Sequence, residues 1–157
     1  SVREKIGMMQ KNNGQILPLL PRHIVQIARI EQLCFTDPWS EAVLQSELDA
    51  PLARYFVYEE AEQVLGYIGT RMIFDTCEIA NVAVHPDARR RGVGRSLMEA
   101  AQTYAKERGI VFLSLEVRES NIAARSLYSS LGWEEQGIRK GFYSHPVENA
   151  CVMTKSI

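Results

Sequence analysis

The stretch from Val82 to Arg95, VAVHPDARRRGVGR, restricts the folds open to this chain more than any other. Its first three residues read as a buried strand and His85 to Ala88 as a turn. From Arg89 a basic, glycine-bearing loop runs into a helical pattern over Ser96 to Ala105. Strand, glycine loop and helix in that order make an anion site. The first N–H groups of a helix lack carbonyl partners and its dipole adds partial positive charge, so phosphate is favoured there. Gly92 and Gly94 are expected to let a ligand approach the backbone. Arg89, Arg90 and Arg91 stand at the positive end of that helix, where each cation is disfavoured by about 0.3–1 kcal/mol. Four arginines between Arg89 and Arg95, in a chain of net charge −1, fit a field concentrated on a polyanion. A solvated basic turn is the plainer alternative.

The two common nucleotide loops do not fit. Gly94 is followed by Arg95-Ser96, without the lysine of a G-x-x-x-x-G-K-(S/T) loop, and Gly92 to Leu97 ends in leucine where a dinucleotide loop needs Gly or Ala. Arg89-Arg90-Arg91-Gly92-Val93-Gly94 fills the pattern (Q/R)-x-x-G-x-G, which resembles the pyrophosphate loop of the GNAT N-acetyltransferases, a family that binds acetyl-coenzyme A. That resemblance implies a cofactor site made of the loop through Arg95 and the backbone of Val82, Ala83 and Val84.

The 157 residues suit one domain with a sizeable core, and 46% hydrophobic with 24% charged residues are globular values. No apolar run approaches the roughly 18 residues of a membrane span, and Ser1 to Lys5 lack the apolar core of a signal peptide. A cytoplasmic protein without membrane association is expected. Cys34, Cys77 and Cys151 are odd in number and scattered, as are His23, His85 and His145, so neither disulfides nor a metal site is expected. Basic residues cluster only at Arg89 to Arg95, which speaks for a small anionic partner and against nucleic acid.

Residues 1–13 show no period and are read as an extension, with the domain over 14–157. Ile16 to Leu20 is a candidate edge strand, because Pro18 cannot donate to a ladder. Ile24, Ile27, Ile30 and Cys34 recur at helical spacing, and Ser40 is a plausible N-cap for a second helix carrying Val43, Leu44 and Leu48 inward. Between them, Phe35 and Trp39 are either core aromatics at a helix break or the wall of a substrate groove. Tyr55 to Val84 reads as successive hairpins that include the strand Val82 to Val84. A helix ends at Arg108-Gly109. Val111, Leu113, Leu115 and Val117 then alternate with Phe112, Ser114, Glu116 and Arg118. Ser120-Asn121 caps a helix bearing Ala124, Leu127, Tyr128 and Leu131, and two last strands flank a turn from Gly141 to Pro146. The expected fold is mixed α+β, a sheet of about seven strands with about four helices and a β-α-β unit across Val82 to Val117.

Acyl transfer from a thioester to an amine needs N–H donors for the carbonyl oxygen, a base for the ammonium proton and an acid for the departing thiolate. Glu116, inside an otherwise apolar strand, and Tyr128, on an apolar helical stripe, are the candidates; a solvent-facing carboxylate and a core tyrosine are the plainer readings. The segment Leu115 to Trp133 closely resembles the L-E-V-R-x-S-N-x-x-A-x-x-L-Y-x-x-x-G-F signature of the RimI-type ribosomal-protein-alanine N-acetyltransferases within the same family. Phe35 to Ser40 also looks like their F-P-W-S segment beside the peptide cleft. The resemblance implies Glu116 as general base, Tyr128 as general acid and Asn121 as a coenzyme A ligand. It also implies Phe35, Trp39, Phe142 and Tyr143 around the acceptor, with Phe142 in place of the first tyrosine of R-x-x-Y-Y and Asn149 in place of the aspartate of E-D-A. The activity it implies is direct transfer from acetyl-CoA to a protein N-terminus, the N-terminal alanine of a small-subunit ribosomal protein. Lysine or small-molecule acetylation and a coenzyme-A sensor without turnover are the rivals.

Overall fold

In the computed structural model, which describes residues 14–157, the β-branched and aromatic runs become seven strands of a single sheet. They are β1 (Gln15–Pro18), β2 (Ala53–Glu60), β3 (Gln63–Ile73), β4 (Thr76–Val84), β5 (Phe112–Arg118), β6 (Glu134–Ser144) and β7 (Val147–Ser156). Four α-helices accompany them: α1 (Ile24–Cys34), α2 (Glu41–Asp49), α3 (Val93–Glu107) and α4 (Ile122–Ser130). The extension expected over residues 1–13 lies outside the described residues.

The strands lie in the order β1-β2-β3-β4-β5-β7-β6. Only β4 and β5 pair in parallel. Parallel neighbours cannot be joined by a tight hairpin, and α3 supplies the crossover. Pro18 falls on β1 at the sheet edge, where a missing donor costs nothing.

Alternation along the strands divides the apolar side chains between two cores. Ile68, Cys77, Ile79, Leu113, Leu115 and Val117 pack with Leu97, Met98 and Ala101 of α3. Tyr55, Val57, Tyr67 and Ala83 pack on the other face with Ile27 and Ile30 of α1 and Leu44 of α2. The sheet is thus covered on both sides, and the even-numbered residues of β5, including Glu116, share the face of α1 and α2.

β4 changes parity part-way along. Ile79 pairs with Thr70 but Asn81 pairs with Gly69, which leaves Ala80 as a bulge. Before it, Cys77 and Ile79 face the α3 core; after it, Val82 and Val84 do, while Asn81 and Ala83 turn toward α1.

Three expectations about local structure change. Val43 is exposed while Leu44 is fully buried, because the short helix α2 turns a narrow stripe inward. Val111 precedes β5 and is exposed rather than part of its buried face. β6 runs on to Ser144, so the turn expected from Gly141 narrows to His145-Pro146. A bulge between Arg139 and Tyr143 absorbs the difference, with Gly141 at φ 62° and its N–H donated to Asn149 Oδ1 at 3.0 Å.

Leu97 of α3 is fully buried at the centre of the larger core. Leu97→Ala is expected to lower the unfolding free energy by about 2–5 kcal/mol, measured by chemical denaturation.

Candidate active site

The site begins where two strands part. β4 and β5 are paired only at Thr76–Phe112, Cys77–Leu113 and Glu78–Ser114. Beyond these, β4 continues to Val84 beside β3 and β5 continues to Arg118 beside β7, with no pairing between them. The facing edges carry backbone groups that no strand satisfies. One of them, the Val82 N–H, is donated to the Asn81 side-chain oxygen at 3.1 Å.

At the end of β4 the chain makes a 3-10 turn at Pro86–Ala88, anchored by buried Ala88, and enters the arginine loop. Arg90 has φ 64° and Gly92 φ 80°, so two residues of the loop take the left-handed conformation. For a non-glycine residue that is uncommon, and such loops turn successive N–H groups into one concavity. Gly92 is the N-cap of α3, no side chain caps the helix, and no acidic residue lies in its first turn. The first bond of the helix is Ser96 N–H to Gly92 O, which leaves the N–H groups of Val93, Gly94 and Arg95 ahead of it. Gly94 serves the protein's own packing: a Cβ there would meet Leu127 of α4 at 3.2 Å and Val84 at 3.7 Å. Arg91 is held by Glu60 at 2.7 Å and Arg89 reaches the Cys34 sulfur at 3.6 Å, so two of the four arginines also tie the loop to its surroundings.

Glu116 lies on the β5 side of the opening with its side chain 21% exposed. Burial pushes its carboxyl above the usual carboxylate range and Glu78 pushes the same way, while the Arg139 guanidinium, 3.7 Å off, pulls it down. Tyr128 of α4 is 5% exposed and packs against Trp133, ring centroids 6.2 Å apart. Burial, and then Tyr143, push its phenol upward, so the group keeps its proton at neutral pH. Tyr143 is half-buried under the Arg118 guanidinium, 4.3 Å from its ring; burial raises its phenol, Arg118 lowers it and Glu116 raises it. Tyr143 is thus the group felt by Tyr128 and the one that feels Glu116.

The residues expected around the acceptor fall in two segments, the loop between α1 and α2 and the end of β6. Thr36 donates its hydroxyl to the His145 carbonyl, and Arg118 donates to the carbonyls of Pro146 (3.0 Å) and His145 (3.1 Å). The loop between α1 and α2 and the turn between β6 and β7 are thereby held together. Trp39 is partly buried against the α1 and α2 core, whereas Phe35 is exposed. Phe142 is exposed, its ring edge-on to Tyr143 at 5.0 Å. Asn121 uses its side-chain oxygen to cap α4 through Ala124 N–H at 3.1 Å, so its first role is structural. Asn149 accepts from Gly141 and donates to Glu119 at 3.1 Å, a donation an aspartate could not make.

Sequence reasoning missed Glu31 and Glu78. Glu31 lies four residues from Ile27 on the buried stripe of α1, and a carboxylate on that stripe is the signal that identifies it. Glu78 pairs with Ser114 and so shares the face of Glu116, but only the strand register reveals this.

Two small hollows lie elsewhere, about 70 Å³ lined by Leu19, Glu47 and Tyr55 among others and about 200 Å³ lined by Met98, Trp133 and Lys155 among others. Neither includes Glu116, Tyr128 or the arginine loop. Among the described residues no group of three His, Cys, Asp or Glu could hold a metal ion, and no helix is long and apolar enough to cross a membrane.

The electrostatics can be checked by titrating Glu116 by carboxyl carbon NMR. Its midpoint is expected above the ordinary glutamate value of about 4.3. Glu78→Gln removes a like charge and moves the midpoint down, and Arg139→Ala removes the opposing cation and moves it up.

Residues 24–133 match the acetyltransferase (GNAT) family. The [ribosomal protein bS18]-alanine N-acetyltransferase of Escherichia coli is 37% identical over 116 residues, 73% of this chain and 76% of its own length. A Bacillus subtilis protein to which the same activity is provisionally ascribed is 36% identical over 135 residues, 85% of this chain and 89% of its own. The crystal structure of the Escherichia coli ribosomal-protein-alanine N-acetyltransferase superposes with a TM-score of 0.84 at 33% identity, over 92% of this chain and 94% of that one.

Proposed function

The chain belongs to the GNAT acetyltransferase family, and from that premise we propose that it transfers the acetyl group of acetyl-CoA to a protein N-terminal α-amine, with the N-terminal alanine of a small-subunit ribosomal protein as acceptor. The observation that carries this reading is the opening where β4 leaves β5, flanked by the uncapped, arginine-bearing start of α3. It is supported by the raised carboxyl of Glu116 and the protonated phenol of Tyr128, each coupled electrostatically to Tyr143. The names of the relatives from Escherichia coli and Bacillus subtilis support the acceptor. Residues 14–157 form the transferase domain.

The residues fit the cosubstrate. The uncapped N–H groups of Val93 to Arg95, with exposed Arg90 and Arg95, suit a pyrophosphate. The strandless edge of β4 suits the amide-bearing arm that follows it, in the way an extended ligand adds to a sheet edge. The acetyl carbonyl then lies by the Val82 to Val84 backbone, whose N–H groups stabilise charge developing on its oxygen. Asn121, beyond its capping role, completes the coenzyme A contacts.

In the reaction, Glu116 accepts a proton from the acceptor ammonium, directly or through a water. The amine lone pair attacks the acetyl carbon, the C–N bond forms, the nitrogen gives up its second proton to water, the C–S bond breaks, and Tyr128 gives its proton to the departing sulfur. The two groups then reset by exchange with solvent. Removing a proton from an α-ammonium, pKa about 8, asks less of a carboxylate than removing one from lysine, about 10.4. The raised carboxyl of Glu116 narrows the gap further. Burial of Tyr128 has two effects: it guarantees the protonated form and makes complete proton release harder, so much of its contribution is a hydrogen bond to the sulfur as charge builds there. Trp39, Phe35, Phe142 and Tyr143 line the approach of the acceptor. Phe142, without a hydroxyl, contributes apolar surface.

Two peptides test the reading by intact-mass spectrometry with acetyl-CoA. One has a free N-terminal alanine and no lysine; the other has a blocked N-terminus and internal lysines. Acetylation of the first alone is expected, and acetylation of the second alone would overturn the α-amine assignment. Glu116→Gln and Tyr128→Phe are each expected to lower kcat by about 10²–10⁴-fold, with coenzyme A binding retained. A sensor without turnover would acetylate neither peptide.

A further inference from the structure

Glu31 is the one buried carboxylate among the described residues, 1% exposed on a stripe otherwise made of Ile24, Ile27, Ala28 and Ile30. An apolar side chain would fill that position without the cost of burying a carboxylate. Its oxygens are occupied: Oε1 accepts from the Tyr67 hydroxyl and from Asn81 Nδ2 at 2.6 Å, and Oε2 accepts from the Trp39 N–H at 3.4 Å. Asn81 Nδ2 also lies 2.7 Å from the Tyr67 oxygen. The carboxamide of Asn81 is therefore fixed at its nitrogen end, and this turns its oxygen onto the Val82 N–H. Asn81 directly follows the Ala80 bulge, where β4 changes parity and runs free of β5. One buried group thus grips α1, the strand carrying Tyr67, the first residues of the acceptor wall and the acetyl-facing segment of β4.

We propose that Glu31 is a positioning residue for acetyl transfer. Through Asn81 it fixes the β4 segment that presents the Val82 N–H to the acetyl carbonyl, and through the Trp39 N–H it fixes the wall against which the acceptor docks. The Asn81 oxygen keeps the Val82 N–H partnered before substrate arrives, and the acetyl oxygen shares that donor when it does. Loss of the Glu31 acceptor lets the Asn81 carboxamide rotate and the bulge relax, which misaligns the donor. The inference rests on the reading that the Val82 N–H polarises the acetyl carbonyl.

The test is the infrared stretch of acetyl-CoA labelled with carbon-13 at the acetyl carbonyl, bound without acceptor, together with steady-state kinetics on the alanine peptide. In the unmodified protein the band is expected at lower wavenumber than in water. In Glu31→Gln, whose amide opposes the incoming donors, the band moves back toward its position in water and kcat falls about ten- to a hundredfold, while KM for acetyl-CoA stays within a factor of about three because the arginine loop is untouched. Glu31→Asp keeps a carboxylate and gives an intermediate band and rate. Glu59→Gln is the control for general softening: it breaks the Arg22–His23–Glu59 cluster beside α1 and is expected to lower Tm without moving the band. A shifted band in the unmodified protein that Glu31→Gln leaves in place, or that Glu59→Gln moves equally, overturns the proposal. An unshifted band in the unmodified protein removes the reading of Val82 itself, and the proposal with it.

Discussion

Everything in this fold that can do chemistry depends on a pairing that stops. Three residue pairs join β4 to β5, and after Glu78 and Ser114 the strands separate. A sheet interrupted in its middle leaves two rows of backbone donors and acceptors without partners, and such groups must be met by water or by a ligand. The protein holds this opening with structure on every side. The bulge at Ala80 redirects β4, β7 keeps β5 in the sheet, and α3 and α4 meet at Gly94 and Leu127, where there is no room for even a methyl group without displacement. The opening is therefore built in, and a ligand arriving there need not create it.

Charge is distributed along the opening by kind. The backbone and side-chain cations gather at the α3 end, where the helix begins with unpartnered N–H groups and Arg90 takes a left-handed conformation. The carboxylates Glu78 and Glu116 face the α1 and α2 side, with Arg139 as partial counter-charge. A molecule with phosphates at one end and a neutral thioester at the other matches that polarity, and an ammonium approaching from the carboxylate side matches the rest. The same arrangement explains why Glu116 is raised and not lowered: burial and Glu78 act together and outweigh a guanidinium that is itself mostly exposed.

Periodicity made the β-α-β unit legible. The alternation of Leu113, Leu115 and Val117 survives intact in β5, the stripe of α3 ends at Gly109 as expected, and Asn121 caps α4. The arginine loop was legible because helix starts obey local rules. The features that escaped are those fixed by partners distant in sequence. Nothing in Thr76 to Val84 marks Ala80 as the residue left out of register, yet that one residue decides that Asn81 faces α1. The length of β6 depends on Gly141 finding Asn149 eight residues on, and the shared face of Glu78 and Glu116 depends on a register that only the assembled sheet defines. Glu31 could have been noticed as a carboxylate on an apolar stripe, but its partners Tyr67 and Asn81 are 36 and 50 residues away.

The central claim is that acetyl-CoA lies along the free edge of β4 with its phosphates on the α3 N-terminus, and backbone amide NMR tests it most directly. Titration with coenzyme A should shift the amides of Gly92 to Arg95, and exchanging coenzyme A for acetyl-CoA should add a further shift concentrated at Val82 and its neighbours in β4. Shifts clustered instead around the hollow of Met98, Trp133 and Lys155, with β4 and the arginine loop unmoved, would contradict the account.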